Sequence, residues 1–160
     1  MTIAKKGDYP TIQTAWYFFF GRAEVHLRAA KGQGIVTAVV LESDDLDEID
    51  WEWIGGKANE VQTNYFGKGN TSTYDRGAKS SVWDSQMATH VYTIDWSPQT
   101  IQWSIDGSIV RTLAYSHAVS GHNYPQTPMR LKLGIWAGGD PGNPNGTITC
   151  MRKSPQPEEC

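Results

Sequence analysis

Short runs in which apolar and polar residues alternate dominate the chain, and Gly, Asn, Asp and Pro separate them. A period of two is typical of β-strands, because successive side chains point to opposite faces of a sheet. Helical periodicity is nearly absent. The pattern predicts strands over residues 13–19, 21–29, 34–41, 48–53, 60–66, 91–96, 100–105, 108–113 and 129–136.

The segments between these runs carry turn signals. Asp106-Gly107 predicts a two-residue hairpin, because a type I′ turn needs a positive φ at both positions. Residues 54–59 predict a longer hairpin loop, and residues 67–81, rich in Gly, Ser, Thr and Asn, predict a long loop. Many short antiparallel strands with few helices predict an all-β fold of two packed sheets, a β-sandwich or jelly roll.

One predicted strand concentrates acidic residues. Residues 47–52 alternate acidic and bulky apolar side chains, which places three carboxyls on one face: Glu48, Asp50 and Glu52. The opposite face is predicted to be buried: Ile49, Trp51 and Trp53. Adjacent like charges repel and raise at least one carboxyl pKa, so the arrangement adds nothing to stability. It suits a site that needs one protonated and one ionised carboxyl, as retaining glycoside chemistry does.

The spacing of the acids sets a geometric condition. A retaining mechanism needs two carboxyls about 5–5.5 Å apart, whereas four residues along a flat strand span roughly 13 Å. Glu48 and Glu52 can therefore cooperate only on a curved strand, which predicts a concave sheet. Asp50 can hydrogen-bond to one Glu and help to separate the two pKa values, and from chemistry alone the two Glu roles are interchangeable. The alternatives are a solvated acidic strand or a calcium site, which an alternating strand disfavours because calcium loops bend the chain.

Polar residues on neighbouring segments are candidates for substrate binding. Gln62 and Asn64 share one face of their predicted strand and can bind sugar hydroxyls, or can simply pair across strands. Arg76 can hold a sugar hydroxyl or pair with Asp75.

Aromatic residues are candidates for stacking on the apolar faces of sugars. Trp96 and Trp136 are predicted platforms, and Trp136 is favoured because a Gly-rich segment follows it. Trp103 alternates with isoleucines and is predicted to be core. His90 and Tyr92 are one strand step apart, and we interpret His90 as a structural donor.

Composition restricts the class of protein. The 160 residues suffice for one domain with a sizeable core. A net charge of −3 argues against nucleic acid as a partner. The longest apolar runs are too short to cross a bilayer, and no export signal is recognised. Cys150 and Cys160 can close a small loop. No cofactor or metal is predicted.

The chain resembles glycoside hydrolase family 16 through residues 47–52, which match its E-x-D-x-E signature. Further segments resemble the fungal Crh branch of that family: Ser43-Asp44-Asp45-Leu46, Trp53-Ile54-Gly55-Gly56, residues 62–69, Tyr74-Asp75-Arg76-Gly77 and residues 135–140. The likeness runs from about Thr2 to Ile148.

The resemblance implies a concanavalin-like β-jelly roll and a secreted fungal cell-wall transglycosylase. Such an enzyme joins chitin to β-1,3- or β-1,6-glucan through a covalent glycosyl-enzyme. The resemblance also implies Glu48 as nucleophile, Asp50 as helper, Glu52 as acid/base and Trp136 as a subsite platform. We expect a monomer. An endo-β-glucanase with the same carboxyls and a non-catalytic sugar-binding jelly roll are the alternatives.

The ends of the chain depart from the family pattern. Family members begin with a signal peptide and further strands, and continue after residue 148 with a Trp-containing cleft segment. We therefore expect a partial family domain over residues 1–148, without a signal peptide or GPI signal, and a divergent, disordered tail over 149–160. Missing strands would leave sheet edges and apolar surface exposed.

Overall fold

The computed structural model describes residues 1–73 and 75–140, and this part of the chain folds into strands and loops with one 3₁₀ turn at Tyr115–His117. The strands are β1 (Thr11–Gln13), β2 (Gly21–Leu27), β3 (Ile35–Ser43), β4 (Glu48–Ile54), β5 (Glu60–Phe66), β6 (Ala78–Ser81), β7 (His90–Trp96), β8 (Thr100–Ile105), β9 (Ser108–Ala114) and β10 (Met129–Ala137).

The strands form two antiparallel sheets. The first has six strands in the order β1-β10-β3-β4-β5-β6, and the second has four in the order β2-β7-β8-β9. The acidic strand β4 therefore lies inside the first sheet, with β3 and β5 as its hydrogen-bonded neighbours. The predicted all-β sandwich is confirmed.

The hydrophobic core lies between the two sheets. Ile49, Trp51 and Trp53 of β4 are fully buried, as the alternation predicts. The ring of Tyr92 from the second sheet packs edge-on against both tryptophans, with centroid distances of 5.4 Å to Trp51 and 4.5 Å to Trp53. Large buried rings contribute most of the hydrophobic stabilisation at such a contact. The core thus fixes which face of β4 carries the acids.

The predicted strand over residues 13–19 is wrong in its position. β1 ends at Gln13, because the chain bends there and the Thr14 hydroxyl donates to the carbonyl of Trp16 over 2.8 Å. Beyond it, Phe18 makes an isolated bridge to Met129. This bridge and ring packing, not a continued ladder, hold the apolar segment.

The remaining differences lie in the loops. The Asp106-Gly107 turn is confirmed, with φ of 49° and 82°. β6 (Ala78–Ser81) falls inside the predicted loop 67–81 and was missed because its residues do not alternate in polarity. The predicted tail over 149–160, with Cys150 and Cys160, lies outside the described residues. Within the described part, no helix has the length and apolar character needed to span a membrane.

Candidate active site

The three carboxyls of β4 occupy one face of the first sheet. The strand register gives each of them one neighbour on β3 and one on β5. Glu48 lies between Glu42 and Phe66, Asp50 between Val40 and Asn64, and Glu52 between Ala38 and Gln62. The polar pair Gln62 and Asn64 is therefore brought to the acidic face, as the sequence predicts.

Asp50 is the most buried of the three acids, with 3% of its surface exposed. Its Oδ1 has no hydrogen-bond partner among the described residues. Burial raises the pKa of Asp50 well above its ordinary value, and the charges of Glu52 and Glu48 raise it further. A protonated Asp50 can donate to Glu48, because a hydrogen bond between the two side chains also raises the pKa of Asp50.

Glu48 and Glu52 differ in what surrounds them. Burial and the charge of Glu48 raise the pKa of Glu52 to about 7. Burial also raises the pKa of Glu48, but the hydrogen bond from Asp50 and the charge of Lys132 oppose that shift. A hydrogen-bond donor and a cation therefore stabilise the charged form of Glu48, whereas the causes that shift the pKa of Glu52 all favour its protonated form. The asymmetry is one that retaining chemistry needs.

The core supports the acidic strand from beneath. Trp103 of β8 is fully buried, as predicted, and its indole N–H donates to the backbone carbonyl of Asp50 over 3.1 Å. The guanidinium of Arg111 lies 4.6 Å from the ring of Trp103 and donates to both the carbonyl and the hydroxyl of Thr63 over 2.8 Å. Sequence reasoning missed Arg111, although its position two residues before the buried Leu113 places it on the inward face of β9.

Asp47 holds the start of β4 in place. Its Oδ1 accepts from the backbone N–H of Lys68 over 2.8 Å. Its Oδ2 accepts from the N–H of Gln126 over 2.8 Å and from the hydroxyl of Thr127 over 2.7 Å. Asp47 is buried and so belongs to the scaffold of the site. The period of two that groups Glu48 with Asp50 places Asp47 on the opposite side.

Trp136 lies on β10, on the same side of the sheet as the acids, because it pairs with Val36 and Val36 pairs with Ile54. It lines a cavity of about 370 Å³ together with Tyr9 and Asp140. Tyr9 is 76% exposed and was not singled out from the sequence. Asp8 also lines it, so the cavity presents two aromatic side chains and two carboxylates.

The structure corrects the prediction that Trp96 is a stacking platform. Trp96 is 2% exposed and packs among the rings of Phe18, Phe19 and Phe20. Its indole N–H donates to the carbonyl of Pro125 over 3.0 Å. Because β7 belongs to the second sheet and this side chain faces the core, Trp96 is a core residue.

Arg76 is also held inside the fold. It is 6% exposed, and its guanidinium donates to the carbonyl of Asn70 over 2.7 Å and lies 5.2 Å from the ring centre of Phe66. These contacts anchor the loop before β6. The structure therefore favours a structural role for Arg76 over the predicted sugar binding.

His90 is structural as predicted, since its two ring nitrogens lie 2.6 Å from Asp106 Oδ2 and from the carbonyl of Trp83. In the described ranges 1–73 and 75–140, no group of three or more His, Cys, Asp or Glu side chains is arranged to hold a metal ion.

A two-sheet jelly roll with three alternating carboxyls on an inner strand defines a class of glycan-active proteins. Residues 1–153 match the sequence model of Glycosyl hydrolases family 16, and the chain belongs to that family. Within it, the chain is similar to Crh-like proteins. It is 62% identical over 147 residues to Crh-like protein 5 of Aspergillus fumigatus, covering 92% of this chain and 37% of the relative.

The chain is also similar to Crh-like proteins of other fungi. Crh-like protein 2 of Botryotinia fuckeliana is 58% identical over 153 residues, covering 92% of this chain and 33% of the relative. The chain thus spans roughly a third of the length of these curated relatives.

Solved structures show the same fold. The Crh5 transglycosylase in complex with NAG superposes with a TM-score of 0.89 at 61% identity, covering 92% of this chain and 61% of that chain. A Bacillus licheniformis β-glucanase superposes with a TM-score of 0.70 at 26% identity, covering 79% of this chain and 57% of that chain.

Proposed function

We propose that this chain carries the catalytic face of a retaining cell-wall transglycosylase that joins chitin to β-glucan. The single observation that carries the proposal is the unequal environment of two glutamates on one strand. Glu52 has a pKa of about 7, whereas Glu48 receives a hydrogen bond and a positive charge that favour its ionised form. This difference supports an assignment of the two roles that chemistry alone leaves open. Glu48 is the nucleophile and Glu52 the acid/base.

The proposed reaction has two steps. In the first, Glu52 gives its proton to the glycosidic oxygen while a Glu48 oxygen attacks the anomeric carbon, which forms a glycosyl ester and breaks the glycosidic bond. In the second, ionised Glu52 takes the proton of an acceptor hydroxyl, whose oxygen attacks the same carbon and releases Glu48. A pKa near 7 suits a group that must first donate and then accept a proton.

Asp50 acts between the two glutamates. It is buried and its pKa lies well above the ordinary range, which favours the protonated form that can donate to Glu48. Such a donor orients the nucleophile and favours its ionised form. When Glu48 becomes an ester, the same proton can stay on Asp50.

The substrate follows from the family and from the aromatic cavity. The similar Crh5 structure is described in complex with NAG, the unit of chitin, which supports a chitin-type donor for this chain. Trp136 and Tyr9 offer rings for the apolar faces of sugars, and Gln62 and Asn64 offer amides for hydroxyls beside Glu52 and Asp50. The acceptor we propose is β-1,3- or β-1,6-glucan. The place of action is the extracellular cell wall, and the active form is a monomer.

Product analysis tests the proposal. The purified chain is incubated with chitin oligosaccharide and a fluorescent β-1,3-glucan acceptor, and we expect a larger labelled product that Glu48→Gln does not form. Shortened donor without larger product would instead identify a hydrolase that uses the same carboxyls. Oligosaccharide binding without any turnover, by a folded chain, would contradict the enzyme assignment. Unchanged activity in Glu48→Gln would contradict the choice of nucleophile.

A further inference from the structure

A second charged pair lies beside the three carboxyls. Glu42 of β3 is directly opposite Glu48 in the register. Lys132 of β10 is opposite Val40, which is itself opposite Asp50, so its side chain lies on the same face of the sheet. The Lys132 Nζ lies 2.5 Å from Glu42 Oε2. Their side chains are 30% and 28% exposed, so water screens the pair only in part.

This arrangement is costly for the fold alone. Two like charges directly opposite each other on adjacent strands are destabilising. Glu42 and Glu48 make such a pair at the end of β4 where Asp50 also adds a carboxyl. Lys132 supplies a positive charge to Glu42 and lies near enough to act on Glu48 as well. The pair therefore affects the nucleophile through charge, without touching the reacting atoms.

We propose that Glu42 and Lys132 are positioning residues that set the ionisation of Glu48, with Lys132 preventing Glu42 from acting as an unopposed negative charge beside it. The inference rests on the proposed function only in calling Glu48 the nucleophile. Its content, the charge state of Glu48, is a property of the site whatever reaction occurs there. The charge of Glu42 raises the pKa of Glu48 and that of Lys132 lowers it, in agreement with the geometry.

Other charged groups face Glu48, and they do not substitute for the pair. On its own strand these are Asp50 and Glu52. On β10, Arg130 is opposite Glu42, but its guanidinium lies 4.3 Å from the ring centre of Tyr17. The β5 residues on this side, Phe66 and Asn64, carry no charge.

The two partners should have opposite effects when they are removed. Lys132→Met leaves Glu42 unopposed, so the pKa of Glu48 rises. Glu42→Gln leaves Lys132 as an unpaired cation, so the pKa of Glu48 falls. We expect each variant to change the acid dissociation constant of Glu48 by about threefold to tenfold, as for partly exposed charges a few ångströms apart. Lys132→Arg keeps the cation and should restore the wild-type value.

The measurement is an NMR titration of the chain labelled with ¹³C at the glutamate carboxyls. The Glu48 resonance is assigned by its loss in Glu48→Gln. Arg22→Met is the matched control, because Arg22 forms exposed ion pairs with Glu24 and Asp95 on the second sheet and should leave Glu48 unchanged. Circular dichroism establishes that each variant is folded. If Lys132→Met does not fold, Glu42→Gln still tests the sign: a fall in the pKa of Glu48 supports the inference, and a rise or no change overturns it.

Opposite shifts in Lys132→Met and Glu42→Gln support the inference, and no shift or shifts of one sign overturn it. In an active chain, the acidic limb of the kcat/KM profile should move with the titration, to higher pH in Lys132→Met and to lower pH in Glu42→Gln. Opposite NMR shifts in an inactive chain would contradict the proposed function and leave this inference standing. Turnover together with a Glu48 resonance that titrates as in wild type in both variants would contradict this inference and leave the proposed function standing.

Discussion

The indole N–H of Trp103 donates to the backbone carbonyl of Asp50 over 3.1 Å. Trp103 belongs to the second sheet and Asp50 to the first, so one hydrogen bond joins the core of one layer to the main chain of the central acid in the other. The ring is fully buried. The hydrophobic core thereby sets the height of the acidic strand, and packing changes beneath it should alter activity.

We expect Trp103→Phe to destabilise the chain more than Trp51→Phe. Both tryptophans are fully buried, but the Trp51 indole nitrogen has no hydrogen-bond partner among the described residues. The two variants lose similar volume, so the difference reports the hydrogen bond to Asp50, worth about 1 kcal/mol, together with the contact between Arg111 and the Trp103 ring. Urea unfolding at pH 6 measures both. Equal losses would mean that this bond does not contribute.

Glu52 should control the alkaline side of the activity profile. As the proton donor it must be protonated at the start of the reaction, and its pKa is about 7. We therefore expect kcat/KM to fall as pH rises through about 7. With an aryl glycoside donor that needs no acid, Glu52→Gln should keep bond cleavage and lose this fall. A fall that persists in the variant would assign it to another group.

Asp50→Asn should make the chain more stable than wild type as pH rises. Burial raises the pKa of Asp50, so its proton stabilises the folded state fully below the ordinary value, and this contribution is lost as pH rises through the raised value. An amide avoids that loss. We expect the variant to gain at least about 1 kcal/mol over wild type at pH 8 relative to pH 5, measured by urea unfolding. A constant difference would contradict the shift.

The same variant should slow turnover, but less than Glu48→Gln does. The amide of Asn can still donate to Glu48, while the nucleophile itself is intact. Initial rates of labelled product formation for the two variants test this order. A larger loss in Asp50→Asn would give Asp50 a catalytic role of its own.

His90 should make stability depend on pH. Burial lowers its pKa, but hydrogen bonds to Asp106 and to the carbonyl of Trp83 outweigh this and raise it. The charged ring therefore stabilises the fold fully below about 6.5, the ordinary value, and the contribution is lost as pH rises through the raised value. We expect the unfolding free energy of wild type to drop by about 1 kcal/mol between pH 6 and 9 relative to His90→Gln. His26→Gln, at an exposed site, should behave as wild type.

Trp136→Ala should weaken oligosaccharide binding. Its ring lines the cavity beside Tyr9, on the side of the sheet that carries the acids. We expect about a tenfold increase in Kd, equivalent to about 1.4 kcal/mol, because a ring that covers a sugar face is lost. Calorimetric titration in a Glu48→Gln background measures binding without turnover. Trp83→Ala, at an exposed ring away from this cavity, is the control. Equal affinity in both would contradict the platform.

The acidic strand could be predicted from the sequence because alternation determines which residues share a face. Once β4 is recognised as a strand, alternation alone predicts that Trp51 is buried on the face of the sheet that does not carry Glu52. The Asp106-Gly107 turn could be predicted for a similarly local reason, since few residue pairs adopt two positive φ angles.

Trp96 and Trp136 show where sequence reasoning stopped. Both end a predicted strand, and alternation does not tell which side of which sheet they face. That depends on register: β10 pairs with β3 in the first sheet, whereas β7 pairs with β2 in the second. The difference between Glu48 and Glu52 is non-local in the same way, because Lys132 lies 84 positions after Glu48 in the chain and acts on it from β10.

The bonds of Asp47 have a consequence for synthesis on the ribosome. Its partners lie 21, 79 and 80 residues later in the chain. At about 5–20 residues per second, roughly 4–16 seconds separate the translation of Asp47 from that of its last partner. During this interval Trp51 and Trp53 of β4 have been synthesised, but Gln126 and Thr127, which bind the Asp47 carboxylate, have not. A nascent chain in this interval exposes apolar surface, to which chaperones that act during translation can bind.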